Sequence, residues 1–161
     1  MTNHHVIDNS TEVRVIFEDG RMYEANIIGS DRLTDIGLVK IVASNLIPIS
    51  IGNSDKMLVG DLAVAIGHPL TLGAAPTVTT GVVSALERRL DVGGDLMGSS
   101  VTLFGLIQTD APITRGSSGG ALINKNGELI GITTAIATAD VGAEGLGLSL
   151  IHISEPTRPF H

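Results

Sequence analysis

Arg115-Gly116-Ser117-Ser118-Gly119-Gly120 is the stretch of this chain best suited to covalent chemistry. Gly116, Gly119 and Gly120 permit backbone turns that a Cβ resists. Such turns can aim successive N–H groups into one small concavity, where a developing oxyanion would be stabilised. Ser118 sits where its hydroxyl could stand beside that concavity. A serine becomes a nucleophile only with a base, and the base needs a third group to orient it. Gly and Ser are also ordinary turn residues, so the run by itself reads equally well as a turn between two strands.

The rest of the chain supplies candidates for both partners. His5 lies in Thr2-Asn3-His4-His5-Val6, and Asp35 opens Asp35-Ile36-Gly37-Leu38-Val39-Lys40. With Ser118 they run in the order His, Asp, Ser, one of the orders in which a Ser-His-Asp triad occurs. Taken singly, a histidine or a strand-start aspartate is more often structural. His68, in a Gly-His-Pro turn, stays in that class. Asp31, Asp55 and Asp110 are alternative acids. Asp110 stands close in sequence to Ser118 and reads as a brace for the loop. Gly116-x-Ser118-x-Gly120 also fits a nucleophile elbow, but that motif needs a strand–turn–helix and the order Ser, Asp, His. Here a hairpin pattern follows the serine.

Short strands must position these groups. Residues 13–17 alternate apolar and polar, and Asp19-Gly20 separates them from a second β-type run over 22–28, a hairpin signal. Further strands are expected over 36–42, 62–66, 77–86 and 103–108. Residues 47–51 read as a short edge strand because they contain Pro48. Residues 87–100, with charges and several glycines, read as an exposed loop. Asn126-Gly127 joins strands over 121–124 and 128–132. Residues 136–145 read as a loop and 146–150 as a last strand. Residues 149–161 change character and read as a non-native tail, from which no function is taken.

Composition narrows the class. The chain has 161 residues, 43% of them hydrophobic, enough for one core or two small barrels. Aromatic residues are only 2%, so the core must be built from Val, Ile, Leu and Ala. A net charge of −7 argues against a nucleic-acid partner. With no cysteine there is neither a disulfide nor a thiolate metal site, and no metal or other cofactor is expected. No apolar run is long enough to span a bilayer. Many short strands at near-regular spacing imply an all-β sandwich or barrel.

Seven segments together resemble the trypsin-like protease domain of the high-temperature-requirement (HtrA/Deg) family. They are Thr2-Asn3-His4-His5-Val6, residues 35–40, 64–69, 80–85, 107–111, 115–122 and 131–136. The resemblance runs from Thr2 to about Leu148 in family order. It implies a chymotrypsin/trypsin-like double β-barrel, with a partial first barrel over residues 1–56 and a second over 57–148. It implies Ser118 as nucleophile, His5 as general base and then acid, and Asp35 as the group that orients His5. It implies an oxyanion hole from the amides of Gly116 and Ser118, and an S1 pocket around Ile113, Ala135 and Ile136. His4 and Ser117 each stand where Asn is usual in the family, and His68 stands where the family has Asn before Pro. The first strands of the first barrel are absent. The implied function is a serine endopeptidase acting on unfolded or misfolded protein, in the periplasm or cell envelope, in a family whose members commonly form trimers. A non-catalytic peptide-binding or chaperone-like module, or an inactive protease fragment, is the alternative.

Overall fold

Alternating side chains flank Glu18-Asp19-Gly20, and the chain folds back on itself at that point. In this computed structural model, which describes residues 1–68, 75–92, 101–114, 116–134 and the backbone of 147–150, β2 (Val13–Ile16) pairs antiparallel with β3 (Met22–Asp31). The turn is braced by Asp19, whose carboxylate accepts the Arg21 backbone N–H at 3.0 Å and the Arg21 Nε at 2.6 Å. Those two bonds, the backbone one first, hold the Asp19 carboxyl below its usual range. Beyond β3, the strand β4 (Ile36–Ile41) returns alongside it, with a bulge between Ile27 and Gly29. The two-residue strand β1 (Thr2–Asn3) adds to the other side of β4, pairing Thr2 with Gly37 and Asn3 with Ile36. The first sheet is therefore open, in the order β1-β4-β3-β2. A single helical turn, α1 (His4–Ile7), leaves β1 directly.

The second sheet closes on itself. Its strands are β5 (Leu62–Gly67), β6 (Thr77–Val92), β7 (Val101–Thr109), β8 (Ala121–Ile123), β9 (Leu129–Thr134) and β10 (Gly147–Leu150). They form a barrel in the order β10-β7-β6-β5-β8-β9, with β10 joining β7 to β9 and leaving no free edge. The inside is aliphatic, as the scarcity of aromatic residues requires. Ala63, Ala65, Val83, Ile107, Leu122 and Ile130 form one buried cluster, and Val92, Val101, Leu103 and Leu106 a second. Ile36 of β4 packs against that second cluster and also against Leu129 and Ile132, so it ties the open sheet to the barrel wall.

Three expectations from sequence change. Residues 87–92, expected in an exposed loop, continue β6 and pair with β7 as far as Val92 opposite Val101. Arg88 and Arg89 are both exposed, and from Arg89 the exposure alternates, with Leu90 half-buried, Asp91 exposed and Val92 buried, a pattern that the density of charge conceals. Register shifts and a positive φ of 52° at Glu87 mark bulges that bend this long strand around the barrel. Residues 47–51 form no strand. They end in one parallel bridge between Ile51 and Leu129, with Leu129 donating to Ser50 and accepting from Gly52 at 2.8 Å each. Pro48 has no N–H to extend that pairing. At the other end, Ser149 and Leu150 belong to β10, paired with Ile107 and Leu106, so strand order continues two residues into the expected tail. Residues 93–100, the loop expected over 136–145 and the remainder of the tail lie outside the described residues. Among the described residues no helix is long and apolar enough to cross a membrane.

Burial should decide stability here more than side-chain size does. Leu103 is wholly buried and its neighbour Phe104 is 65% exposed. Leu103→Ala should cost about 2–5 kcal/mol, and Phe104→Ala less than about 0.5 kcal/mol. Denaturant unfolding of the two variants beside the parent checks this order.

Candidate active site

Asp35 is the best-held polar residue of the first sheet. Its side chain is fully buried, and a buried carboxylate must be compensated by donors or by an opposite charge. The donors come from the segment spanning β1 and α1. His5 contributes twice: its backbone N–H donates to Asp35 Oδ1 at 3.0 Å, and its Nδ1 lies 2.8 Å from Oδ2 and 3.0 Å from Oδ1. The Asp35 carbonyl in turn accepts from His4 N–H at 3.0 Å and from Asn3 Nδ2 at 3.2 Å. Asp35 itself takes φ +54°, a left-handed conformation that Asp tolerates better than most residues. That kink at the entry to β4 places side chain and carbonyl together on one three-residue segment.

The direction of the His5–Asp35 bond has a chemical consequence. A carboxylate accepts and does not donate, so His5 Nδ1 carries the proton. Neutral imidazole then keeps its lone pair on Nε2, the nitrogen on the far side of the ring from Asp35. The His5 side chain is 18% exposed, so the ring lies at a surface while its orienting partner lies beneath it.

Ser118 stands on the barrel in the loop between β7 and β8. This loop is tied down by Ser117 N–H donating to Thr114 O at 3.0 Å and Gly119 N–H donating to Thr133 O at 2.9 Å. Gly116 and Gly119 take φ +91° and +85°, which side chains resist. Gly119 is needed for a second reason. A Cβ there would collide with Thr2 Oγ1 and come within 3.6 Å of Asn3 N. Thus the residue after Ser118 touches the strand that leads, three residues on from Thr2, to His5. The two sheets meet at this contact, which lies three residues from His5 along one chain segment and next to Ser118 along the other.

The remaining candidates separate clearly. Asp31 braces its own turn by accepting from Leu33 N–H and the Thr34 hydroxyl. Asp110 accepts Val82 N–H at 2.7 Å, a brace between β6 and the start of the serine loop. Ile113 is buried with the barrel core. Ala135 and Ile136 lie outside the described residues. Asn3 and Thr2 escaped the reading of the sequence, although both stand in the motif that contains His5. Their roles depend on what the fold brings against them from 32 or more residues away. Among the described residues no cluster of His, Cys, Asp and Glu could hold a metal ion.

A His–Asp pair on one β-sheet and a glycine-bounded serine on an adjoining closed β-barrel are features that trypsin-like peptidases share. The chain belongs to that family: the model of the trypsin-like peptidase domain matches residues 1–132. Its relatives are HtrA/Deg proteases. It is 48% identical over 151 residues to the periplasmic serine endoprotease DegP of Escherichia coli strain K12, and 48% identical to a probable periplasmic serine protease do/HhoA-like protein of Haemophilus influenzae. Each comparison covers 93% of this chain, which spans 30% and 31% of those relatives respectively. Among solved structures, the HtrA-type protease AlgW with a decapeptide superposes with a TM-score of 0.78 at 40% identity, covering 92% of this chain and 43% of AlgW.

The arrangement around Asp35 predicts unequal effects of two similar substitutions. Asp35→Asn keeps an acceptor for the His5 backbone N–H but can present an amide N–H to the ring and favour the wrong tautomer. It should lower kcat for peptide hydrolysis by about 10⁴. Asp31→Asn should change kcat less than about threefold, a shift below ~1 kcal/mol in the barrier. Steady-state kinetics on both variants of the full-length protein checks this difference.

Proposed function

We propose that this domain is the catalytic domain of a serine endopeptidase that cleaves unfolded or misfolded polypeptides through an acyl-enzyme. The observation that carries the reading is the His5 Nδ1–Asp35 Oδ2 bond at 2.8 Å, made by a ring at the surface to a carboxylate that is fully buried. A module that only bound peptides would gain nothing from a buried carboxylate holding one histidine tautomer. In the proposed reaction Ser118 Oγ attacks the scissile carbonyl carbon and His5 Nε2 takes the hydroxyl proton. The amides of Gly116 and Ser118 stabilise the tetrahedral oxyanion. His5 then protonates the leaving amine as the C–N bond breaks. Water, deprotonated by the same nitrogen, hydrolyses the ester and restores Ser118.

The compartment is proposed from the relatives' names, and the substrate class from the HtrA/Deg resemblance of the sequence. DegP and its neighbours are named periplasmic serine endoproteases, and we assign this domain the same location and a role in protein quality control. A homotrimer of the full-length protein is the assembly that the HtrA/Deg resemblance suggests. The P1 preference comes from the side chains. Of the three residues assigned to the S1 pocket, Ile113, Ala135 and Ile136, none carries a charge. A Lys or Arg side chain entering the pocket would find no partner among these three residues, at a cost of several kcal/mol.

Two measurements on the full-length protein test this function. Ser118→Ala should lower kcat by about 10⁶ while leaving the unfolding transition in place, and parental activity against casein in that variant would remove Ser118 from the mechanism. A peptide set varied only at P1 should be cleaved faster after Val, Ile, Ala or Leu than after Lys or Arg. The reverse order would overturn the pocket assignment and leave the nucleophile untouched.

A further inference from the structure

We propose that Thr133 is a positioning residue of the oxyanion site: its hydroxyl fixes the peptide plane between Ser117 and Ser118, and so sets where the Ser118 N–H points. This inference rests on the reading of Ser118 as nucleophile given above. A peptide unit is planar and trans, so the Ser117 C=O and the Ser118 N–H are rigidly opposed. Whatever holds the carbonyl on one side of the chain holds the amide on the other.

The Ser117 carbonyl is held by two donors. Thr133 Oγ1 donates to it at 2.6 Å, and the Gly120 N–H donates at 3.1 Å. A carbonyl oxygen has two lone pairs, and both are used. Rotating this peptide would break both bonds in a place where Thr133 is wholly buried. Thr133 belongs to β9, a wall strand of the closed barrel, so the hydroxyl is carried by a rigid element. Its β-branched side chain has few rotamers to choose from, which presets the donor.

The same residue also docks the rest of the loop through its backbone. Thr133 N–H donates to Gly120 O at 2.9 Å, and Thr133 O accepts the Gly119 N–H at 2.9 Å. Those two bonds survive any substitution that keeps the strand. The side-chain bond is different in kind, because of the three bonds made by Thr133 it alone reaches the Ser117 carbonyl and, with the Gly120 N–H, holds the Ser117–Ser118 peptide. The space is tight as well: a Cβ on Gly120 would lie 2.9 Å from Thr133 Oγ1 and 3.0 Å from Ser117 O. Removing the hydroxyl while keeping the shape should therefore leave the loop docked and the amide poorly aimed.

The magnitude follows from what an oxyanion donor contributes. Deleting such a donor lowers kcat by about 10²–10³. Here the donor remains and only its direction is loosened. A cavity of about 60 Å³ lined by Ser117 and Thr133 can also admit a water to the vacated carbonyl in a variant. The expected loss in Thr133→Val is therefore smaller, roughly 10- to 100-fold in kcat.

The test uses the full-length protein with Ser118→Ala, Thr133→Val and Thr133→Ser measured side by side on one peptide substrate. Thr133→Val should lower kcat with little change in KM, and Thr133→Ser, which restores the hydroxyl, should recover most of that rate. A peptidyl trifluoromethyl ketone, whose bound form carries the oxyanion, should lose affinity in Thr133→Val by the factor that kcat/KM loses. Parental kcat in Thr133→Val, with Ser118→Ala inactive, overturns the role of Thr133 and leaves the nucleophile standing. Activity retained in Ser118→Ala overturns the nucleophile assignment itself. A loss confined to KM, with inhibitor affinity unchanged, overturns the proposal in favour of a merely structural threonine. If Thr133→Val fails to fold, Thr133→Cys supplies a weaker donor of similar size. An intermediate kcat there supports the proposal, and a parental kcat overturns it.

Discussion

A carboxylate with no solvent access sets the terms for this structure. Asp35 is wholly buried, and burying such a group costs several kcal/mol unless protein donors replace the water it has lost. Among the described residues, the replacements come from one short segment, Asn3 to His5, which bonds to both the carboxylate and the carbonyl of Asp35. Hence the short strand β1 and the single helical turn α1 have little freedom to move apart from β4. A two-residue strand and a four-residue helix would be marginal by themselves. Here they are held by the need to satisfy a buried acid, and that need fixes the His5 ring with Nδ1 inward.

The same point anchors the first sheet to the barrel. Ile36, the next residue in the chain, packs against two apolar clusters of the barrel, one including Leu103 and Leu106 and the other Leu129 and Ile132. Thr2, at the start of the donor segment, lies against Gly119. Two contacts thus flank Asp35, one apolar and one steric, and both tie the acid–histidine pair to the wall that carries the serine loop. The barrel can serve as that wall because it is closed: β9, which receives the loop's hydrogen bonds, is paired along both sides. A serine loop mounted on such a strand has a fixed floor, against which small changes in one peptide plane become functionally visible.

Much of this was legible in the residues themselves, where a local rule applies. Asp19-Gly20 and Asn126-Gly127 marked two hairpins because few other residue pairs suit such turns. The aliphatic core followed from the near absence of aromatic residues. His5, Asp35 and Ser118 stood out because each lies in a distinctive motif, and their order restricted the chemistry. Other features depended on contacts distant in sequence. Residues 87–92 looked like a loop because Arg88 and Arg89 face solvent, and only pairing with β7 reveals Val92 as a core residue. Pro48 already limited residues 47–51, but the single bridge to Leu129 could not be read from the segment alone. Asn3, Thr2 and Thr133 carry no spacing signal. Their importance lies in the carbonyl, the glycine and the peptide plane that the fold sets against them.

Labelling with a fluorophosphonate, followed by mapping of the adduct to a residue, tests the central claim most directly. The probe reacts with a serine only when a base has activated it and an oxyanion site receives the phosphoryl oxygen. In the full-length protein, one phosphonylated residue is expected, Ser118, with its rate of formation falling by orders of magnitude in His5→Ala. An adduct on another serine, or labelling of Ser118 at the same rate without His5, would contradict the account.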